Sequence, residues 1–524
     1  MSGWLRVLGF GRSTRRAALV DDYLLRRAAR HGNRPAIGAL GETISYAELD
    51  RRVTKVANGL LAEGKPGDRI AILGRNSREL VELLFGCVRA GCVALPVNWR
   101  LAAPEIAFIL EHSGATRIFT DAEFAAAANS AAKAIPLHLI DGDGPGDYAQ
   151  WRDGQRNRKI ATRGEPDDVV LQMYTSGTTG LPKGVQLTNA NITASVPLFG
   201  AGPLALSPRD VVYAPAPIFH ITGVGPVIQS IRSGARLVLT GGFVPEETVR
   251  EMAHEQVSYT TMAPAMIHAC LATEALAQCS LDALRIIVYG GSPIAESVLR
   301  EAQERLGCEF AQCYGLTETT GPVTLLTPED HAPGRDLLAS CGRAVEGIDI
   351  MVVDAEGNRL PAGETGEVLI RGSIIMPGYA SDLAATEATI VDRWLHSGDA
   401  GYLDAQGYLF IRDRVKDMIV SGGENIYPVE VEHALQSHPD IADVAVIGVP
   451  DEQWGEAVLA LAIPRPGATP DAEAILQHCR ERIAGYKCPK QIRFINAIPR
   501  NAAGKILRRE LREPFWETAD RKVG

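Results

Sequence analysis

Residues 69–120 read RIAILGRNSRELVELLFGCVRAGCVALPVNWRLAAPEIAFILEHSGATRIFT. Three short apolar runs, at 69–74, 93–97 and 117–120, are spaced by two longer stretches with helical periodicity, at 76–91 and 104–115. Asn76 stands as a cap-like residue before the first helix. A strand–helix–strand–helix–strand order requires parallel pairing with the helices covering the sheet. The same pattern returns as VSYTTMA (257–263), PAMIHACLA (264–272), LRIIVYGG (284–291), IAESVLREAQERLG (294–307) and EFAQCYG (309–315). From Cys341 to Phe410 the texture changes to short strands punctuated by Gly, Pro and Asp, which reads as a β-rich unit. Beyond Arg414 a helix is expected near 428–438, strands at 443–449 and 457–464, and a helix at 471–484. The expected fold class is therefore α/β. A large N-terminal domain (1–413) holds two layered α/β subdomains plus a β-rich subdomain, and a small α+β domain (414–524) follows.

Composition limits the function classes. The chain has 524 residues, 46% hydrophobic and 22% charged, with a net charge of -10. That length suits more than one core, and that charge argues against nucleic acid as the main partner. The nine cysteines are scattered and form no C-x-x-C motif, as expected for reduced thiols in a cytoplasmic protein. No apolar run approaches the roughly 20 residues that span a bilayer. The first segment, MSGWLRVLGFGRSTRRAALV, mixes Trp4, Leu5, Leu8 and Phe10 with four arginines. It reads as a loose tail leading into a helix, with peripheral membrane contact as the alternative. Whether the chain forms an oligomer is left open.

The chemistry is concentrated in LQMYTSGTTGLPKGVQLT (171–188). An apolar strand runs into Thr175, Ser176, Gly177, Thr178, Thr179 and Gly180, with Lys183 close behind. Glycines let backbone N–H groups approach phosphate oxygens, hydroxyls add donors, and the lysine supplies charge. The spacing is not that of a Walker loop, because Leu181 and Pro182 separate Gly180 from Lys183.

This stretch resembles the signature phosphate loop of the adenylate-forming superfamily: acyl- and aryl-CoA synthetases, luciferases and adenylation domains. The resemblance runs from about Asp22 to Arg509 and rests on further motifs in the family's order. In QCYGLTETTG (312–321) an acid beside a hydroxyl suits a magnesium ion held on nucleotide phosphates, although alone the stretch also fits a capped helix start. The resemblance makes Glu318 the metal ligand, sets Thr317 at the α-phosphate and stacks Tyr314 on adenine. In WLHSGDAGYLDAQGYLFIRDRVKDMI (394–419) it gives the ribose hydroxyls to Asp399 and Arg414, and an inter-domain hinge to Lys416. VSGGENIYPVEVE (420–432), with Gly423 and Glu424, resembles the loop lining the pantetheine tunnel. In IPRNAAGKILRREL (498–511) Lys505 takes the place of the catalytic lysine, although by itself it is one of several cations. Gly290 and Gly291 of VYGGSPI resemble the wall between adenine and acyl pocket, and His220 of PIFH resembles a residue that gates that pocket.

What the resemblance implies is an AMP-forming acid–thiol ligase using ATP and coenzyme A as cosubstrates, with magnesium as cofactor. Lys505, Thr317, Glu318 and His220 would be its catalytic residues. The small domain would swing between adenylation and thioester formation. A medium- or long-chain fatty acid is the first expectation for the acid, and an aryl or polycyclic acid the second. Ala214, Phe219, His220, Ile221, Val224, Gly290, Gly315 and Gly321 are the pocket candidates, the glycines being read as leaving room for the acid. A carrier-protein acceptor and a luciferase-like oxygenase share these motifs. A non-enzymatic nucleotide sensor would have no use for Glu318, Asp399, Arg414 and Lys505 together.

Overall fold

The alternating pattern builds two sheets with parallel cores. The computed structural model describes residues 19–516 apart from 40, 132–134, 143, 145, 161–163, 176–181, 199, 201, 293, 415–416, 422–423, 452–453 and 501–504, with backbone alone at 39, 413, 414, 424, 425 and 455. The seven-stranded sheet runs in the order 378–379, 183–188, 169–175, 93–96, 69–73, 115–120 and 137–139. Its strands from 169–175 to 137–139 pair in parallel. The nine-stranded sheet is parallel from 309–316 through 286–290, 259–262, 211–214 and 236–239 to 35–39. Antiparallel strands flank it at both ends.

One hydrophobic core joins the two sheets. It contains Ile72 and Leu171 from one, Leu237 and Val288 from the other, and Val53, Leu84 and Val227 from helices Tyr46–Glu63, Arg78–Ala90 and Ile221–Ser233. A five-stranded sheet built on Asp349–Val353, Gly366–Arg371 and Trp394–Leu403 supplies the β-rich part. The C-terminal region has its own five-stranded sheet, including Ile441–Asp451 and Gly455–Pro464, and its own core around Ile419, Val446, Val458 and Ile475. The expected large α/β part and small C-terminal part are both present.

Local boundaries differ in places. The helix expected at 471–484 stops at Arg480, and the first helix of the opening motif begins at Arg78 with Ser77, not Asn76, as its cap. Ser77 Oγ accepts the Leu80 N–H, as N-cap hydroxyls do. The Asn76 side chain instead reaches the other sheet, donating to Ala216 O at 2.8 Å and accepting the Ile218 N–H at 2.8 Å. Both donor and acceptor ends of that buried amide are satisfied, and the segment ahead of His220 is fixed by them.

A buried ion pair braces the frame beneath. Arg89, 2% exposed, donates to Asp21, 0% exposed, at 2.8 Å, and to Thr54 Oγ1 at 2.7 Å. It joins the helix Val20–His31 to the helix Arg78–Ala90. Removing one partner of such a pair leaves a charge buried without compensation, at about 3–5 kcal/mol. Arg89→Leu is expected to lower the unfolding free energy by that order, seen as a lower denaturant midpoint, and Asp21→Asn in the same chain to recover part of the loss. Midpoints of both variants indistinguishable from the parent would contradict this.

Candidate active site

Three elements converge where strands of both large sheets end. The first is the hairpin of Val169–Thr175 and Lys183–Thr188, whose register sets Thr175 opposite Lys183. Ser176, Gly177, Thr178, Thr179 and Gly180 lie outside the described residues. Beside it, Tyr174 Oη lies 2.7 Å from His112 Nδ1 and accepts Gln172 Nε2 at 3.2 Å.

The second is the turn between Glu309–Leu316 and Gly321–Leu326, which carries Thr317 and Glu318. It is a tight reversal between antiparallel strands rather than a helix start. Thr320 has φ of 55°, a conformation that is uncommon for a β-branched residue and stored where the surroundings enforce it. Its hydroxyl donates to Ile374 O at 2.6 Å and its carbonyl accepts Ser195 Oγ at 3.1 Å. Tyr314, on the strand entering this turn, donates its hydroxyl to Asp399 Oδ2 at 2.6 Å. Asp399 is 4% exposed and pairs in register with Arg414 across Trp394–Leu403 and Leu409–Arg414. The expected adenine and ribose residues therefore share one corner.

The third is the helix Ile221–Ser233, with His220 as its N-cap residue. The His220 carbonyl accepts the Gly223 and Val224 N–H groups at 2.9 and 3.0 Å. Gly223 is required here, because a Cβ on it would stand 2.1 Å from Pro217 O. Burial, with the positive charges of Arg100 and Lys505, lowers the His220 pKa to about 4, and its Nε2 is buried with no partner among the described residues. Lys505 comes from the C-terminal region, yet its charge reaches His220. On either side of Lys505 in the chain, Arg500 pairs with Asp443 at 2.8 Å and Arg508 with Glu432 at 2.7 Å. Arg100 stacks its guanidinium on Trp99, 4.4 Å from the ring centroid.

Two readings from the sequence change. Gly290 and Gly315 do not leave room for an acid: a Cβ on either would stand 2.2 Å from a backbone oxygen, of Cys313 and Gly321 respectively. They permit close strand packing. Gly291 and Gly321 have φ of 82° and 114°, so backbone conformation requires glycine there. Gly423 and Lys416 lie outside the described residues, and of Glu424 only the backbone is described, in a strand pairing with Ser421.

Sequence reading missed Asn76, Arg100 and Tyr379. Asn76 resembled a helix cap, and Arg100 looked like one arginine among many. Tyr379 sits outside every motif quoted above, in a two-residue strand. Its hydroxyl donates to Glu318 Oε1 at 3.0 Å, and Lys183 Nζ lies 4.9 Å from its ring centroid.

Glu318 offers a single carboxylate, and no group of three or more metal-ligating side chains is found among the described residues. That donor set fits magnesium, which keeps waters and takes its remaining oxygens from phosphates. No described helix is long and apolar enough to cross a membrane.

The His220 pKa makes a testable statement. The folded protein holds the ring neutral while the unfolded chain protonates it below about 6.5, so its contribution to stability is lost as pH falls from 6.5 toward 4. Imidazole NMR is expected to show His220 neutral from pH 8 down to 5. Titration near 6.5 would contradict the burial of the ring and, with it, the influence of Arg100 and Lys505. Gly290→Ala and Gly315→Ala are expected to destabilise the fold measurably rather than shift preference among acids, as melting curves and rates with several acids would show.

Comparison with known proteins agrees with this geometry. Residues 24–380 match the AMP-binding enzyme family, and residues 430–505 match the AMP-binding enzyme C-terminal domain. The chain is 39% identical over 495 residues to a fatty acid–[acyl-carrier-protein] ligase, ScoC, of Streptomyces coeruleorubidus, covering 93% of this chain and 95% of that one. It is 37% identical over 494 residues to a feruloyl-CoA synthase of an Amycolatopsis species, covering 94% and 98%. Among solved structures, o-succinylbenzoate CoA synthetase (MenE) of Bacillus subtilis, in complex with its acyl-adenylate intermediate, superposes with a TM-score of 0.85 at 31% identity, covering 93% and 97%. The chain belongs to the AMP-binding enzyme family, that is, to the adenylate-forming superfamily.

Proposed function

We propose that the protein is an AMP-forming acyl-CoA synthetase, joining a carboxylic acid to ATP as an acyl-adenylate and then passing the acyl group to the thiol of coenzyme A. The observation that carries this reading is the meeting of motif residues far apart in the chain: the Tyr314 hydroxyl donates to Asp399 Oδ2 at 2.6 Å, and beside the same turn Tyr379 joins Glu318 Oε1 at 3.0 Å to Lys183. A buried, neutral His220 that feels the charges of Arg100 and Lys505 suits a substrate carboxylate meeting a phosphate.

A carboxylate is a poor acyl donor because its leaving group would be oxide. Attack of a carboxylate oxygen on the α-phosphorus of ATP forms the mixed anhydride and expels pyrophosphate. The thiol, losing its proton, then attacks the acyl carbon and AMP departs. The protein's task is positioning and charge neutralisation. Lys505 spans the acid and the α-phosphate, Thr317 donates to that phosphate, and Lys183 with the 175–180 loop holds the departing pyrophosphate. Asp399 and Arg414 bind the ribose beside Tyr314. When bound at Glu318, magnesium neutralises phosphate charge.

The division at 413/414 then acquires a purpose. Lys505 serves the first step only, so after pyrophosphate leaves, the C-terminal part turns about Lys416 and brings the 420–432 segment, with Gly423 and Glu424, toward the incoming thiol. An apolar acid suits Phe219, Ile221 and Val224, with a fatty acid first and an aryl acid second. ScoC, named for an acyl-carrier-protein acceptor, favours one further reading, in which the thiol belongs to a carrier protein.

Lys505→Ala separates the two steps. Acid-dependent ATP–pyrophosphate exchange is expected to fall by at least about 10²–10³, as for loss of a pre-organised transition-state donor. Thioester formation from supplied acyl-adenylate should stay within a few-fold of the parent. Equal loss in both half-reactions would contradict the role given to Lys505.

A further inference from the structure

The segment 373–380 is strapped to both phosphate-facing elements. Asn191 Nδ2 donates to Ile375 O at 2.8 Å, Thr320 Oγ1 donates to Ile374 O at 2.6 Å, and the Met376 N–H donates to Glu318 O at 2.9 Å. Three residues on, the same segment joins the hairpin that carries Lys183. Gly378 and Tyr379 pair with Gln186 and Val185, and the Ala380 N–H donates to Gly184 O at 2.7 Å. The Tyr379 N–H is held by Thr386 Oγ1 at 2.9 Å. A short edge strand thus bridges two elements that are far apart in sequence, and Tyr379 stands at their junction.

The Tyr379 side chain addresses one residue from each element. Its hydroxyl donates to Glu318 Oε1 at 3.0 Å, and its ring lies under Lys183 Nζ at 4.9 Å. The hydroxyl engages one carboxylate oxygen, Oε1, and not the other. The ring holds a flexible lysine by cation–π attraction without neutralising it, as a carboxylate would. Both effects order long side chains before nucleotide arrives, and so remove an entropic cost from binding.

We propose that Tyr379 is the positioning residue for the metal–pyrophosphate half of the site: it presents Glu318 as a one-oxygen magnesium ligand and holds Lys183 toward the same polyphosphate. This rests on the proposed function for the identity of the anion. A purely structural tyrosine would show itself in stability alone, whereas a positioning tyrosine shows itself in the magnesium dependence of nucleotide binding.

The test is equilibrium calorimetry on the full chain with a non-hydrolysable ATP analogue, titrated at a series of magnesium concentrations, beside melting curves. Tyr379→Phe, which removes only the hydroxyl, is expected to raise the magnesium concentration for half-maximal nucleotide affinity roughly tenfold, the scale for losing one hydrogen bond to a charged group. Its metal-free nucleotide affinity should be unchanged. Tyr379→Leu should in addition weaken pyrophosphate binding about two- to five-fold through Lys183, the scale of an exposed cation–π contact. In a Glu318→Ala background the Phe change should have no further effect on magnesium dependence, and this arm holds even if the Leu variant folds poorly. Unchanged magnesium dependence in Tyr379→Phe, or a further effect in the Glu318→Ala background, would overturn the proposal. A parent that binds the magnesium–nucleotide complex normally yet activates no acid would instead overturn the proposed function and leave this role standing.

Discussion

Two anions must be brought together before anything can react. A carboxylate and a polyphosphate repel, and at 4 Å two unit charges at an effective dielectric of 20 differ from isolation by about 4 kcal/mol. A site that joins them has to supply positive charge on both sides while keeping the reacting atoms accessible. In the proposed reading the acid side would be met by Arg100 and Lys505, whose charges are felt at His220, and the phosphate side by Lys183 over the Tyr379 ring. The rest of the structure can be understood as the means of holding these groups in register despite their mutual repulsion.

Two of these cations, Arg100 and Lys183, have rigid supports. Arg100 stacks on Trp99, and Lys183 leaves a hairpin whose register is set by strand pairing. Lys505 sits between the ion pairs Arg500–Asp443 and Arg508–Glu432. Neutral His220 adds no charge to the crowd, since burial beside two cations keeps its ring unprotonated. Two carboxylates of the site are held by tyrosine hydroxyls, Asp399 by Tyr314 and Glu318 by Tyr379. A net charge of -10 is therefore compatible with the locally cationic site proposed.

Much of this was legible in the sequence, for identifiable reasons. Parallel strands buried on both faces read as apolar runs, so 69–73, 93–96 and 286–290 stood out. The phosphate hairpin and the 312–321 turn were legible because glycine and hydroxyl residues cluster there. What stayed hidden depends on contacts between distant segments. Asn76 has the composition and position of a helix cap, and only the meeting of two sheets shows its amide engaged with 216–218. Gly290 and Gly315 read as space because a glycine in sequence does not say whether solvent or a neighbouring carbonyl stands over its Cα. Tyr379 belongs to a two-residue strand whose partner is nearly 200 positions earlier in the chain, beyond the reach of any local pattern.

The central claim is that this arrangement activates a carboxylic acid with ATP. It is tested most directly by incubating the full chain with magnesium, ATP and a panel of short, medium and long fatty acids, benzoates and cinnamates, and following pyrophosphate exchange and AMP release with and without coenzyme A. The account predicts exchange that depends on an apolar acid without coenzyme A, and stoichiometric AMP and thioester once the thiol is added. Exchange that never yields thioester with coenzyme A would place the acceptor on a carrier protein. Absence of acid-dependent exchange across the panel, in protein that binds ATP, would contradict the account.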